Sequence, residues 1–361
     1  MSRVRQLHDL GQSLWLDNIT RSLLRGGTLQ RYIDEFSITG LTSNPTIFDH
    51  AIKTSGEYDE AIRRKVSEGK SGEPLFFELA LEDVTAAADL FRPIHERTDG
   101  VDGWASLEVS PKLAADTART ISEAKALFTR AARPNVFIKI PGTRAGLPAI
   151  EESIFAGVPI NLTILFSREH YLAAADAYLR GIERRVADGL SPRVGSVASV
   201  FVSRWDKAVM GKLPEGLENR LGMAVAQRTY KAYRDLLASD RWQRLANLGV
   251  RPQRLLWAST GTKDPRASDT LYITGLAAPH TINTIPDATL HAFADHGEVG
   301  ALLPADGGDS EEVLEKLARA GVDYAGLAAQ LQRDGTRSFD DSWDDLLGCL
   351  ASKAESVGVI R

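Results

Sequence analysis

Cysteine is nearly absent from this chain: among 361 residues there is one, Cys349. That excludes an internal disulfide and a cysteine cage for a metal, and it fits a reducing compartment. Long apolar runs are also missing, and the first residues, Met1 to Asp9, lack the apolar centre of a signal peptide. A cytoplasmic protein with no membrane partner is therefore expected. There is no basic block, and 43 Lys and Arg against 48 Asp and Glu leave a net charge of −5, so no nucleic-acid partner is expected. No Gly-x-Gly-x-x-Gly follows an apolar run, no phosphate-loop motif Gly-x-x-x-x-Gly-Lys-Ser/Thr is present, and no Gly-x-Ser-x-Gly elbow occurs. The seven histidines include no His-x-x-x-His pair, and His291 and His296 are five apart, so no metal site is expected.

What is present is an alternation of short apolar runs with helical patterns. Strands are predicted at Ser13–Ile19, Ile38–Asn44, Trp104–Ser110, Asn135–Pro141, Pro159–Phe166, Ser196–Ser203, Arg254–Ser259 and His280–Ile285. Eight such runs with interleaved helices favour an α/β fold of the (β/α)8 TIM-barrel type over a doubly wound sheet. Additional helices are expected between the second and third strands, within residues 46–92. From about Leu303 the pattern becomes wholly helical, over Ser310–Ala320, Tyr324–Gln332 and Phe339–Val357. No proline-rich or serine-rich linker interrupts the chain. The expectation is one domain over residues 1–361, with residues 304–361 as a helical C-terminal extension packed on the barrel.

One residue breaks the strand pattern. Lys139 stands in Val136-Phe137-Ile138-Lys139-Ile140-Pro141-Gly142-Thr143, flanked by isoleucines. Taking an ammonium into an apolar interior is costly, and a lysine freed of its proton is a nucleophile toward carbonyls. The plainer alternative is a strand-end lysine whose head group reaches solvent. Side-chain parity puts Val136, Ile138 and Ile140 on one face and Phe137 and Lys139 on the other. The same test sets Trp15 and Asp17 against Leu14 and Leu16, and Ser106 and Glu108 against Leu107 and Val109. It sets Asn161 and Thr163 against Ile160, Leu162 and Ile164, and Ser199 and Phe201 against Val200 and Val202. In a barrel the aliphatic parity faces the helices and the other faces the interior, so Asp17, Glu108 and Lys139 converge near the C-terminal mouth. Each has a plainer reading: Asp17 as a helix cap, Glu108 as an exposed strand-end carboxylate, and Asn44-Pro45-Thr46 as the turn opening a helix.

The blocks Leu16-Asp17-Asn18, Gly40-Leu41-Thr42-Ser43-Asn44-Pro45-Thr46, Leu107-Glu108-Val109-Ser110, Phe137 to Thr143 and Asn161 to Ser167 together resemble the transaldolases. The likeness runs from about Leu10 to about His296. It implies a class I aldolase barrel of the pentose phosphate pathway that needs no cofactor. Such an enzyme moves a dihydroxyacetone unit between sedoheptulose 7-phosphate and glyceraldehyde 3-phosphate, giving erythrose 4-phosphate and fructose 6-phosphate. By resemblance, Lys139 is the Schiff-base lysine and Asp17 the base that takes the C4 hydroxyl proton. Glu108 is then the acid/base working through a water held with Thr163. Asn44 and Asn161 would bind the dihydroxyacetone hydroxyls, Ser199 its C1 end, and Arg204 the phosphate. Ser259 and Lys263 are expected to assist at the phosphate, because Ser259-Thr260-Gly261-Thr262-Lys263-Asp264-Pro265-Arg266 carries a lysine where the family pattern has an arginine close behind the serine. Phe201 matches a position where the related fructose 6-phosphate aldolases are expected to carry tyrosine. The partners implied are small sugar phosphates, with the chain a monomer or homodimer. The rival readings are a lyase of the fructose 6-phosphate aldolase type and a catalytically silent barrel that binds sugar phosphates.

Overall fold

Short apolar strands separated by helices can pair in parallel only if each helix carries the chain back along the outside of the sheet. The computed structural model, which describes residues 3–356, shows that arrangement eight times. The strands are β1 (Ser13–Leu16), β2 (Ile38–Leu41), β3 (Trp104–Glu108), β4 (Val136–Pro141), β5 (Ile160–Leu165), β6 (Ser196–Phe201), β7 (Arg254–Ala258) and β8 (Thr281–Ile285). Each pairs in parallel with the next, and β8 pairs with β1 to close the barrel. All eight predicted strands are found, trimmed at their ends. β1 stops at Leu16 rather than Ile19 because the chain turns there toward the helix Arg21–Arg25, which Thr20 caps by accepting a hydrogen bond from the Leu23 amide. Asp17 is thus just past the strand and does not cap, though its amide still donates to the Ile285 carbonyl at 2.9 Å.

Parity sorts the side chains as expected except at Ile164, which was expected beside Ile160 and Leu162 but joins the inner cluster. Leu14, Leu16, Leu107, Ile138, Ile140, Ile160, Leu162 and Val200 are buried in the large cluster beneath the helices. Trp15, Trp104, Phe137, Val197, Leu256 and Ile282 belong to a second cluster, which fills the barrel interior. Trp104 and Phe137 stack at 4.0 Å between centroids. Gly40 makes room for this layer: a Cβ there would stand 2.7 Å from the Trp15 indole and 2.8 Å from the Trp104 carbonyl. Near the N-terminal end, the buried Asp102 carboxylate accepts from Trp15 Nε1 and Thr39 Oγ1, each at 2.8 Å, and from the Ser13 hydroxyl.

The helices Pro45–Thr54, Asp59–Ser67 and Gly72–Arg97 lie between β2 and β3, as the sequence indicates. The C-terminal region differs from expectation. Two helices were predicted, Tyr324–Gln332 and Phe339–Val357; a single helix, Tyr324–Ser356, runs through both, with Val357 outside the described residues. Gly335 does not break it, because its missing side chain is used for packing. A Cβ at that position would meet Arg204 Nη1 at 3.3 Å and the Phe166 ring at 3.5 Å. β5 is distorted where this helix crosses it. Ile164 takes a left-handed φ of 53°, unusual for a β-branched residue, and the register with β6 shifts between Leu162 and Leu165. The Ile164 carbonyl instead accepts from Gln332 Nε2 at 3.2 Å, and the same amide donates to the Gly142 carbonyl at 3.1 Å.

Candidate active site

The register of the barrel sets Glu108 of β3 beside Lys139 of β4, and Lys139 beside Asn161 of β5. Three inward side chains near the C-terminal mouth therefore meet without any loop to place them. Lys139 Nζ donates to Glu108 Oε2 at 3.0 Å and to the Ser43 carbonyl at 3.1 Å, and both charged side chains are almost wholly buried. The amine is thus a buried, paired group and does not reach solvent as the plainer reading supposed. Burial pushes the Glu108 carboxyl up, Lys139 opposes that shift, and the charge of Asp17 adds to it. A carboxylate with a raised pKa is a good proton acceptor for the neighbouring ammonium. Glu108 Oε1 and Thr163 Oγ1 are both buried without a protein partner, so each retains hydrogen-bonding capacity for a reacting water.

Asp17 is half-buried as a residue, but its carboxyl is enclosed, and burial pushes its pKa up against the opposing effects of Lys139, Thr42 and Lys263. Thr42 Oγ1 donates to Asp17 Oδ1 at 3.0 Å and bonds the Thr284 hydroxyl at 2.7 Å. Asn161 is held on both sides: its Nδ2 donates to Ser106 Oγ at 3.2 Å, and its Oδ1 accepts from Ser199 Oγ at 2.7 Å. Asn44 does open a helix, accepting from the Ile47 amide at 3.1 Å, and it also lines the cavity. The helix-opening and site readings of Asn44 are therefore compatible.

A cavity of about 130 Å3 is lined by Asp17, Asn44, Lys139, Thr163, Ser199, Phe201, Arg204, Ser259 and Lys263, with Glu108 and Asn161 directly behind Lys139 and Ser199. Larger cavities, of about 440 Å3 beside His50 and Tyr58 and about 540 Å3 at the N-terminal end of the barrel, contain none of the predicted site residues. Arg204 lies with its guanidinium 4.9 Å from the Phe201 ring and 5.9 Å from that of Phe339, and no ion pair holds it among the described residues. Lys263 is on the same side, its pKa pushed down by burial and then by the positive charges of Lys207 and Arg204. Arg266 points elsewhere and pairs with Asp264 at 3.1 Å. Lys263, not Arg266, thus completes the cationic edge. The sequence reading missed Thr42, Thr284 and Phe339. Thr42 was in a quoted motif and shares the inward parity of Gly40, which could have exposed it. Phe339 reaches the site from the C-terminal helix and carried no such signal.

Among the described residues, no group of three or more His, Cys, Asp or Glu side chains is placed to hold a metal ion. None of the described helices is long and apolar enough to cross a membrane.

The family model described as Transaldolase/Fructose-6-phosphate aldolase matches residues 14–350. The chain belongs to this family. The match includes most of the C-terminal helix, where the sequence alone gave little likeness. Relatives in the family include a transaldolase of Saccharopolyspora erythraea, 44% identical over 353 residues and 96% of each chain. Transaldolases of Parafrankia sp., 42% identical over 96% of each chain, and of Thermobifida fusca, 42% identical over 98% of each, are similar to the same extent.

Proposed function

We propose that this chain is a transaldolase of the non-oxidative pentose phosphate pathway, acting in the cytoplasm on small sugar phosphates, with its residues folded as one domain. It transfers a dihydroxyacetone unit from sedoheptulose 7-phosphate to glyceraldehyde 3-phosphate, giving erythrose 4-phosphate and fructose 6-phosphate. The observation that carries this reading is the buried Lys139 amine, 3.0 Å from Glu108 and opening into a cavity that Asp17 also lines.

In the proposed cycle Glu108 takes a proton from Lys139, and the free amine adds to the donor ketone. The carbinolamine loses water with Glu108 as proton shuttle and Thr163 holding the water, leaving an iminium. Asp17 removes the C4 hydroxyl proton, the C3–C4 bond breaks, and the aldehyde departs. The electron pair is held as the enamine of the lysine adduct, which attacks the incoming aldehyde. Asn44, Asn161 and Ser199 hold the three-carbon unit, while Arg204, Ser259 and Lys263 hold the phosphate.

The alternative within the family is a lyase that releases dihydroxyacetone. Phe201 favours transfer, because a phenyl ring cannot donate the proton that would quench the enamine. Borohydride reduction with fructose 6-phosphate should trap the adduct on Lys139, as read by peptide mass mapping, and Lys139→Ala should eliminate both trapping and turnover. Adduct on another lysine would overturn the assignment. Free dihydroxyacetone formed without acceptor as fast as transfer proceeds with one would establish the lyase instead.

A further inference from the structure

The C-terminal helix Tyr324–Ser356 brings one aromatic side chain to the reacting amine. Phe339 is buried, lines the cavity, and has its ring centroid 5.6 Å from Lys139 Nζ and 5.9 Å from Arg204 Cζ. The helix that carries it is fastened across the mouth. Gln332 donates to two barrel carbonyls, the Thr46 and Ser342 hydroxyls bond at 2.8 Å, and Trp343 Nε1 donates to Glu73 at 2.9 Å. The ring is therefore held above the amine from outside the barrel, whereas Phe201 lines the cavity from β6.

The space under that ring is small. About 130 Å3 is below the roughly 300–1,000 Å3 usual for ligand pockets. The ring's approach to the amine matters most in the interval in which the aldehyde has left and the dihydroxyacetone enamine waits on Lys139. Two outcomes then compete. The enamine carbon can attack an aldehyde, or it can take a proton from water, after which water adds to the iminium and expels dihydroxyacetone from the Lys139 amine. Protonation of the enamine commits it to release, and the ring stands 5.6 Å from the nitrogen that carries the enamine.

We propose that Phe339 is the roof of the site, a specificity-determining residue that favours transfer over release by keeping water from the enamine. This rests on the transaldolase reading and assigns to one side chain a role that reading leaves open.

The test is the ratio of dihydroxyacetone released from fructose 6-phosphate without acceptor to the transfer rate with erythrose 4-phosphate. Phe339→Ala should raise this ratio at least tenfold, while borohydride still traps adduct on Lys139. Phe339→Leu, which keeps an apolar but thinner cover, should give a smaller rise of the same sign and serves if the alanine variant does not fold. General loosening of the helix would lower both rates together, so the ratio separates a roof from a structural prop. Variants that turn over with the ratio of the unmodified enzyme would overturn the proposal. Failure of the transaldolase reading looks different, because the unmodified enzyme would then release as fast as it transfers.

Discussion

Asp17 and Glu108 are both pushed up by burial, yet they face different neighbours, and their variants should fail at different steps. Glu108 bonds the amine itself, so Glu108→Gln should mainly slow formation and hydrolysis of the imine. Asp17 is tied to Thr42, so Asp17→Asn should mainly slow carbon–carbon cleavage and accumulate adduct with the donor still intact. Single-turnover trapping resolves the two, and equal defects in both steps for both variants would refute distinct roles. The raised pKa values also fix a sign. Asp17 acts as a base only when ionised, so activity should rise with pH along an acid limb displaced above the usual carboxylate value of about 3.9. Thr42→Val removes a hydroxyl that stabilises the anion, and the limb should move further up; recording the profile in Glu108→Gln as well separates the two carboxyls. Between the ordinary and the raised pKa the native state binds more protons than the unfolded chain. Their contribution to stability therefore declines as pH rises through that interval.

At the scale of elements, the site is a meeting of the barrel mouth with the C-terminal helix. Arg204 is at their junction, between the rings of Phe201 and Phe339 and against Gly335. Losing a charge-assisted phosphate contact costs about 1.5–3 kcal/mol, so Arg204→Ala should raise KM for fructose 6-phosphate by roughly 10- to 100-fold and barely affect an unphosphorylated donor. Gly335→Ala poses a subtler balance. Alanine gains about 1 kcal/mol of helix propensity, and the atom it crowds is the movable end of Arg204. A modest rise in Tm together with a higher KM for the phosphorylated donor is expected; a KM equal to that of the unmodified enzyme would show that Arg204 accommodates the methyl without leaving the phosphate. Lys139, Glu108, Asn161 and Ser199 were legible in the sequence because strand parity is local and their neighbours across the sheet follow from register. Phe339 was not, since an apolar residue on an amphipathic helix is indistinguishable from core until the helix has a place to lie. The single long helix was hidden for a related reason: Gly335 resembles a break when what it accommodates, Arg204, is on another element.

Over the whole molecule, the interior is layered, with a polar knot at Asp102, an aromatic plug, and the reactive groups above. Gly40→Ala tests the plug, because a methyl group there meets an indole and a backbone carbonyl that cannot move independently. Overpacking of this kind costs roughly 1–3 kcal/mol, so Tm should fall, while Lys139 remains able to trap donor in the fraction that folds. The barrel was readable because eight apolar runs and their parity repeat along the chain. The change at Ile164 was not, since a left-handed β-branched residue is tolerated there by virtue of a hydrogen bond from Gln332, far along the sequence.

That bond has a consequence for the order in which the protein is made. Strand β8, which closes the cylinder, ends at Ile285, and with it paired Asp17, Glu108 and Lys139 can take up their mutual positions. Gln332 and Phe339 come later along the chain than every strand of the barrel. A barrel that closes before the last helix docks would hold the paired Lys139 amine without the Phe339 ring near it. In that order of assembly, the docking of Tyr324–Ser356 is the step that covers the mouth.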